Sequence, residues 1–460
     1  MLLIYTTANT NRFSYITEVL FTSVLPVEYW LTSNADDFIS YTDTKINYSS
    51  NRLCAEEIWI EPHALLFEKN IVEQQTDCFI WQGVKAFFKT HGDIPFDIFA
   101  ASFYLITRYE EYLPHAKDEY GRYAYTNSVA YKEGFLNIPL VNIWMKKLQD
   151  SFRFPVSGLQ LFTEEGNRFF NNVQKNKARS VTSNQQPVTS NWYLPTYDID
   201  IAYAYKGKGF ARNIGGFWKD LLTGKVGSVK ERIHVYSGIK PDPFDTFVWL
   251  DDLHAKYNLK PTYFFLLAEK NKLYDKNVSP HTSLMQRAVQ QHAARYTVGI
   301  HPSWQSGDDE QVLDNEIAIL KNITNKPVQL SRQHYIRMTL PHTYSLLIAK
   351  GITEEYSMGY GSINGFRASV TSPFYWYDVE NDVKTNLLVR PYCYMEANSF
   401  FEQHYTANQA AVELQHYHDI VKAVGGELIT LFHNHFVTEQ PQWKAWREMY
   451  AQFLQKNFGW

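Results

Sequence analysis

The sequence predicts an α/β protein, with a smaller α/β domain followed by a distorted (β/α) barrel of seven or eight strands. Three observations predict it. Short apolar runs alternate with helical stretches over the C-terminal part; a polar tract separates that part from a first portion of different texture; and polar residues stand at the ends of five of the runs. Strand–helix alternation argues for a parallel sheet with helices outside it. Some eight strands in about 270 residues suit a closed or nearly closed barrel better than an open sheet.

At 460 residues the chain exceeds one ordinary core, so two or three domains are expected. An apolar fraction of 45% and a charged fraction of 20% are globular values. Aromatics at 16% supply either a generous core or exposed rings that stack on sugars, and composition does not divide the two. The net charge of −4 has no basic bias and gives a nucleic-acid partner no support. Cys54, Cys78 and Cys393 are far apart with no CxxC pair, which argues against a disulfide framework and against a thiolate zinc site. The start, MLLIYTTANTNRF, lacks a basic segment and reads as a first strand rather than a signal peptide. No stretch approaches the roughly 20 apolar residues that span a bilayer. A soluble, cytoplasmic protein without a membrane partner is expected; oligomeric state is not legible.

Taking the elements in order, the first domain is placed at residues 1–172, with short strands at 1–5 and 57–60. PFDIFAASFYLITRYEEYLP, residues 95–114, reads as one helix: Pro95 suits its start, Phe99, Phe103 and Ile106 recur at helical spacing, and Pro114 stops it. Arg108, Glu110 and Glu111 in that run are expected to be solvated face charges rather than catalytic groups. NNVQKNKARSVTSNQQPVTS has linker composition. A linker is therefore placed at 173–192, a long surface loop being the alternative. The barrel domain is placed at 193–460, with strands at 192–198, 261–268, 296–301, 327–331, 353–357, 365–369, 386–391 and 427–433. Helices are expected at 244–257, 283–294, 309–321, 342–350, 408–424 and 443–458.

In such a barrel the C-terminal strand ends and the loops after them build the active site. Five runs end in candidates: Thr196-Tyr197-Asp198-Ile199-Asp200, Gly299-Ile300-His301, Ser331-Arg332-Gln333-His334, Gly365-Phe366-Arg367 and Leu431-Phe432-His433-Asn434-His435. Asp198 and Asp200 are two apart, so extended backbone points them to one side. Two carboxylates on one face repel unless a cation or proton lies between them. A divalent metal resolves the repulsion and leaves one Asp free as a base. Alone, that motif is equally a turn or cap, and a lone His is usually structural. The combination of two Asp with His301 and His433 carries the weight.

This ordered set resembles the polysaccharide deacetylase (NodB-homology) superfamily, and more closely a bacterial subgroup with an extra N-terminal domain of unknown role. TYDID approximates the family's Thr-Phe-Asp-Asp strand end with one residue inserted; His301, Arg332 and Leu431-Phe432-His433 match later motifs. PFDIFAASFYLITRYEEYLP and GRYAYTNSVAYKEGFLNIP look like the subgroup's N-terminal domain, and SRQHYIRMTLPHTY, MGYGSINGFRAS and WKAWREMY like its barrel. The resemblance implies a hydrolase of non-peptide carbon–nitrogen bonds that removes acetyl from an N-acetylated sugar or glycan precursor. It implies Asp198 as general base, Arg332 as the group that holds it, and His433 as the acid that protonates the leaving amine. It implies Asp200 and His301 as ligands of a divalent metal, zinc first, with nickel or cobalt as alternatives. The family's second ligand His, four residues after the first, is here Gln305. His334 is the expected replacement. His435 and Arg367 have no family role. Residues 206–240 hold eight Lys or Arg and are expected to cover the site as a solvated loop, or as a basic lid for an anionic carbohydrate. A catalytically degenerate relative that binds a glycan or scaffolds other proteins is the alternative function.

Overall fold

The computed structural model describes residues 1–152, 192–207 and 226–459. The expected linker, apart from Trp192, and residues 208–225 of the insertion lie outside the described residues.

The first portion is built on a parallel sheet of β1 (Leu2–Thr6), β2 (Tyr29–Thr32), β3 (Lys45–Tyr48) and β4 (Ile58–Ile60), in the order β2-β1-β3-β4. Buried along its whole length, β1 is a continuous apolar run, as a central parallel strand requires. A hairpin of β5 (Phe79–Trp81) and β6 (Val84–Ala86) follows. The helices Asn11–Glu18, Ile98–Ile106 and Leu140–Asp150 share one apolar core with the sheet.

The helix expected over 95–114 is shorter and broken. Asp97 caps it by accepting from the amides of Phe99 and Ala100, and it ends where Arg108 takes left-handed φ 56° before a 3-10 turn over Tyr109–Tyr112. That turn drives Arg108, Glu110 and Glu111 inward, so the expected solvated charges are buried. Apolar spacing is the same on both sides of the break, which is why periodicity missed it.

The second portion holds one nine-stranded sheet. Its strands are β7 (Tyr193–Ile199), β8 (Thr262–Phe265), β9 (Thr297–Ile300), β10 (Leu330–Ser331), β11 (Glu354–Glu355), β12 (Phe374–Asp378), β13 (Val383–Val389), β14 (Tyr394–Met395) and β15 (Leu428–His433). Their order is β12-β13-β11-β10-β9-β8-β7-β15-β14, with every neighbour parallel except β12, which returns antiparallel on β13. The ladder does not close among the described residues: β14 and β12 remain its two edges. The six expected helices form, from Phe247–Tyr257 to Lys444–Phe458.

The strand expected at 365–369 does not form. Its backbone is bonded to the first portion instead: the Phe366 amide donates to Leu136 (2.8 Å), and Ser369 accepts from Val141 (3.0 Å). Gly365, at φ 145°, lies so close to Leu136 that a Cβ would collide with it. Other bonds join the portions, including Tyr15 Oη to the Tyr375 carbonyl (2.8 Å) and Arg12 Nε to Asp382 (3.1 Å). Among the described residues no helix is long and apolar enough to cross a membrane.

Candidate metal centre

β7 lies inside the sheet, paired along its length with β15 and from Thr196 onward with β8. In this register Asp198 on β7 stands directly opposite His433 on β15, roughly 4.8 Å away across the ladder. Asp200 follows the end of β7, His301 the end of β9, and Arg332 and His334 the end of β10. These six sequence candidates therefore meet at the C-terminal edge of the parallel strands, the edge at which such sheets place ligands.

Three of them offer donor atoms to one point. A carboxylate oxygen of Asp200 and one imidazole nitrogen each of His301 and His334 all lie within 4.8 Å of one another. His301 Nε2 is 3.2 Å from Asp200 Oδ1 and 3.6 Å from Asp198 Oδ2; His334 Nε2 is 3.7 Å from Asp200 Oδ2. The His301 tautomer follows from its other nitrogen. Nδ1 is 2.6 Å from the Arg332 carbonyl, which only accepts, so Nδ1 carries a proton, and it is Nε2 of the neutral ring that can serve as a ligand atom. Asp200 Oδ1 is buried with no hydrogen-bond partner.

Behind each remaining imidazole stands a carboxylate that the sequence did not single out. Asp275, fully buried, bonds His334 Nδ1 at 2.9 Å and also accepts from the Trp304 amide (2.9 Å) and from Gln305 Nε2 (2.9 Å). Gln305 thus buttresses the buttress. Glu396 accepts at one oxygen from both the amide (2.6 Å) and Nδ1 (2.9 Å) of His433, whose Nε2 is 3.7 Å from Asp200 Oδ2. Arg332 donates from Nη1 to Thr196 (2.7 Å) and to Asp198 Oδ1 (3.1 Å), with Nε on the Tyr356 carbonyl and its guanidinium 4.6 Å over the Phe264 ring.

The charges of this set act on one another. Burial pushes the Asp200 carboxyl up, but the His334 and His433 charges outweigh it and hold the group well below the usual carboxylate range. Burial lowers His334, and Asp200 with Asp275 more than reverses this, to about 9. Burial likewise lowers His433, and Glu396 followed by Asp200 lifts it to about 9. Asp200 is the most exposed member, its side chain 17% exposed against 10% for His433.

Two candidates have other placements. Arg367 is buried against Glu111, with Nε and Nη2 on the two carboxylate oxygens at 2.8 and 2.5 Å. The His435 ring packs on Phe436 and lies 5.6 Å from that of His433. A cavity of about 920 Å³ between Tyr131–Asn137 and the helix after Tyr405 is lined by none of the six.

Residues 2–154 match the model of a family of unknown function, DUF7033. None of the curated proteins matches the chain. Among solved structures, the chain is similar to a putative polysaccharide deacetylase from Mycobacterium smegmatis, at 14% identity over 61% of this chain and 89% of that one, TM-score 0.37. It is similar to a probable polysaccharide deacetylase from Pseudomonas aeruginosa PAO1, at 13% identity over 62% of this chain and all of that one, TM-score 0.34. It is also similar to a CE4 family pseudoenzyme from Bacillus anthracis, at 12% identity over 48% of this chain and 59% of that one, TM-score 0.24.

Proposed function

We propose that the chain is a metal-dependent hydrolase that removes acetyl from an N-acetylated sugar or glycan precursor. The observation that carries the proposal is the convergence of donor atoms from Asp200, His301 and His334 within 4.8 Å of one another, with Asp200 Oδ1 buried and unpartnered 3.2 Å from His301 Nε2. A divalent cation between Asp200 Oδ1 and Nε2 of the neutral His301 ring would satisfy both atoms at once. One carboxylate and two imidazoles fit zinc first, with nickel or cobalt as alternatives, and three protein ligands with a position left open is the catalytic pattern. The buried Asp275 behind His334 is the outer-shell partner that a ligating imidazole requires. When bound, a divalent ion supplies Lewis-acid chemistry, polarising the acetamide carbonyl and easing ionisation of a water.

The rest falls to the chain itself. Arg332 fixes Asp198 through Oδ1, leaving Oδ2 on the side of the ligands to take a proton from the attacking water. The water oxygen adds to the acetyl carbon. Glu396 anchors Nδ1 of His433 and keeps the ring protonated, so that Nε2 can deliver its proton to the sugar nitrogen as the carbon–nitrogen bond breaks. Acetate and the free amino sugar leave.

A second reading is favoured by Gln305, which stands where the resembled family has its second ligand His and donates to Asp275 instead. It makes the chain a deacetylase-like glycan-binding or scaffolding protein without turnover. Elemental analysis of the purified full chain, with acetate release from N-acetylglucosamine and its β-1,4-linked tetramer, separates the two. We expect about one divalent ion per chain and measurable acetate. His301→Ala and His334→Ala should each lower both. Metal-free, inactive wild-type protein overturns the hydrolase reading and leaves the second.

A further inference from the structure

The first portion of the chain does not stop at the sheet it builds. Residues 117–123 form a tight turn, closed by a bridge between Lys117 and Tyr123, in which Asp118 accepts from the amides of Tyr120 (3.0 Å) and Arg122 (2.9 Å) and from Arg122 Nε (2.6 Å). From this turn Arg122 reaches across to the second portion. Its Nη1 donates to the carbonyl of Tyr335 at 2.8 Å, beside residue 361, where only a glycine leaves room for the guanidinium. Tyr335 directly follows the ligand candidate His334 and holds a left-handed backbone at φ 59°.

At the tip, Tyr120 joins an aromatic group. Its ring centroid is 5.3 Å from that of Tyr335 and 5.4 Å from that of Tyr274, while Tyr274 lies 4.8 Å from Tyr335 and 5.3 Å from Trp304. All four side chains are half-buried, so each keeps part of its surface in water. The group abuts the centre through the backbone: the Trp304 amide holds Asp275, and Asp275 holds His334. Charged groups interleave with the rings. Arg122 lies 4.6 Å over Tyr120, and Arg337 lies 3.9 Å over Trp304 while pairing with Asp308 at 2.5 Å. Partly exposed rings bordered by hydrogen-bonding groups complement a pyranose, which is apolar on its C–H faces and polar around its rim.

We infer that the first portion completes the substrate site, its 117–123 turn presenting Tyr120 to form with Tyr274, Trp304 and Tyr335 a stacking subsite for a sugar ring next to the one that reacts. The inference rests on the proposed hydrolase reading, since it takes a sugar chain as the occupant. It gives the family-of-unknown-function segment a task, which is to make the site prefer an oligosaccharide over a single sugar.

The test uses the full chain with two probes, N-acetylglucosamine and its β-1,4-linked tetramer. Tyr120→Ala and Tyr274→Ala should each lower the tetramer-to-monomer ratio of kcat/KM about tenfold, chiefly through KM on the tetramer, the size of one ring's stacking contribution. Metal content should not change, and Tyr120→Phe, which keeps the ring, should restore the preference. An unaltered ratio in both alanine variants, with wild-type melting behaviour, overturns the subsite while leaving the hydrolase intact. If wild-type protein releases no acetate from either probe, the hydrolase reading fails and calorimetric binding of the tetramer decides the subsite. Binding that weakens about tenfold in Tyr120→Ala upholds it; equal binding, or none to wild type, overturns it.

Discussion

Two of the buried-charge clusters among the described residues are built on opposite terms. Where the first portion meets residues 359–367, Arg108 and Arg367 face Glu110 and Glu111, two cations against two anions. Arg108 donates to Glu111 (2.8 Å), Glu110 (2.7 Å) and Tyr360 (3.2 Å); Arg367 grips both oxygens of Glu111; Glu110 also accepts from the Val129 amide at 2.9 Å. At the strand ends, by contrast, Asp198, Asp200, Asp275 and Glu396 surround one guanidinium, that of Arg332, and three imidazoles. Arg332 Nη2, Asp200 Oδ1 and Glu396 Oε2 are buried there without hydrogen-bond partners. Burying charge costs free energy in both places, and hydrogen-bonded pairing offsets more of it in the first. The closed cluster is a joint. The open one holds negative charge and lone pairs in reserve for something outside the chain, and that deficit marks it as the place to look for function.

The largest expected effect is on the open side. His433→Ala should lower kcat by about 10²–10⁴-fold, the usual contribution of one general acid, while metal content stays at the wild-type level. Loss of the metal along with the rate would make His433 a ligand and redraw the centre. Glu396→Gln should cost less and act on pH. Glu396 is the main group lifting His433 to about 9, so removing its charge should bring the alkaline fall of kcat to lower pH.

Next in size is the joint. Glu111→Ala leaves two buried guanidiniums short of their shared carboxylate and should destabilise the chain by about 3–5 kcal/mol in denaturant unfolding. The same carboxyl predicts an acid dependence. Burial pushes it up, but Arg367 and then Arg108 bring it down to about 2 from an ordinary 4.5. A depressed carboxylate contributes stability that is complete above its unfolded pKa and is lost as pH falls through the folded one. The joint should therefore weaken between about pH 4.5 and 2, by roughly 3 kcal/mol for that shift, reduced by Glu110, whose raised pKa acts with the opposite sign. A Glu111→Ala loss below about 1 kcal/mol would erase the distinction between the two clusters.

How much of this was legible in the sequence differs between them. The strands carrying the site were marked by apolar runs, and their chemistry by the polar residues at the run ends, because side chains at the C-terminal edge of a parallel sheet converge whatever the loops do. Asp275 and Glu396 were not legible. Asp275 lies in an irregular segment and Glu396 directly follows the two-residue strand β14, too short to show a pattern, and each meets its imidazole across a long separation in sequence, Asp275 with His334 and Glu396 with His433. A rule was available: a ligating imidazole needs an acceptor on its other nitrogen. It says that such a carboxylate exists, not which one. The joint was misread for a related reason. Arg108, Glu110 and Glu111 have the composition of a solvated face, and only the left-handed step at Arg108 turns them toward Arg367. The 365–369 strand is absent because the first portion takes hydrogen bonds of that segment at Phe366 and Ser369, a long-range competition that local pattern does not record.

The smallest expected effect sits between the clusters and tests whether the first portion serves the open one at all. A Cβ at Gly361 would collide with the Arg122 guanidinium and come within 3.0 Å of the Tyr335 carbonyl that it holds. Backbone conformation does not forbid alanine there, since Gly361 is not among the glycines with positive φ, so the cost is steric alone. The far end of an arginine yields more readily than backbone, and Gly361→Ala should cost about 1–2 kcal/mol, at the low end for overpacking. The displaced guanidinium must then release Tyr335 and shift away from Tyr120, the ring it covers at 4.6 Å. If the turn is part of the substrate site, this variant should lower the tetramer-to-monomer ratio as Tyr120→Ala does, with metal content and the Glu111 joint undisturbed. Lost stability with an unchanged ratio would instead make the turn a second joint, closed and structural like the first.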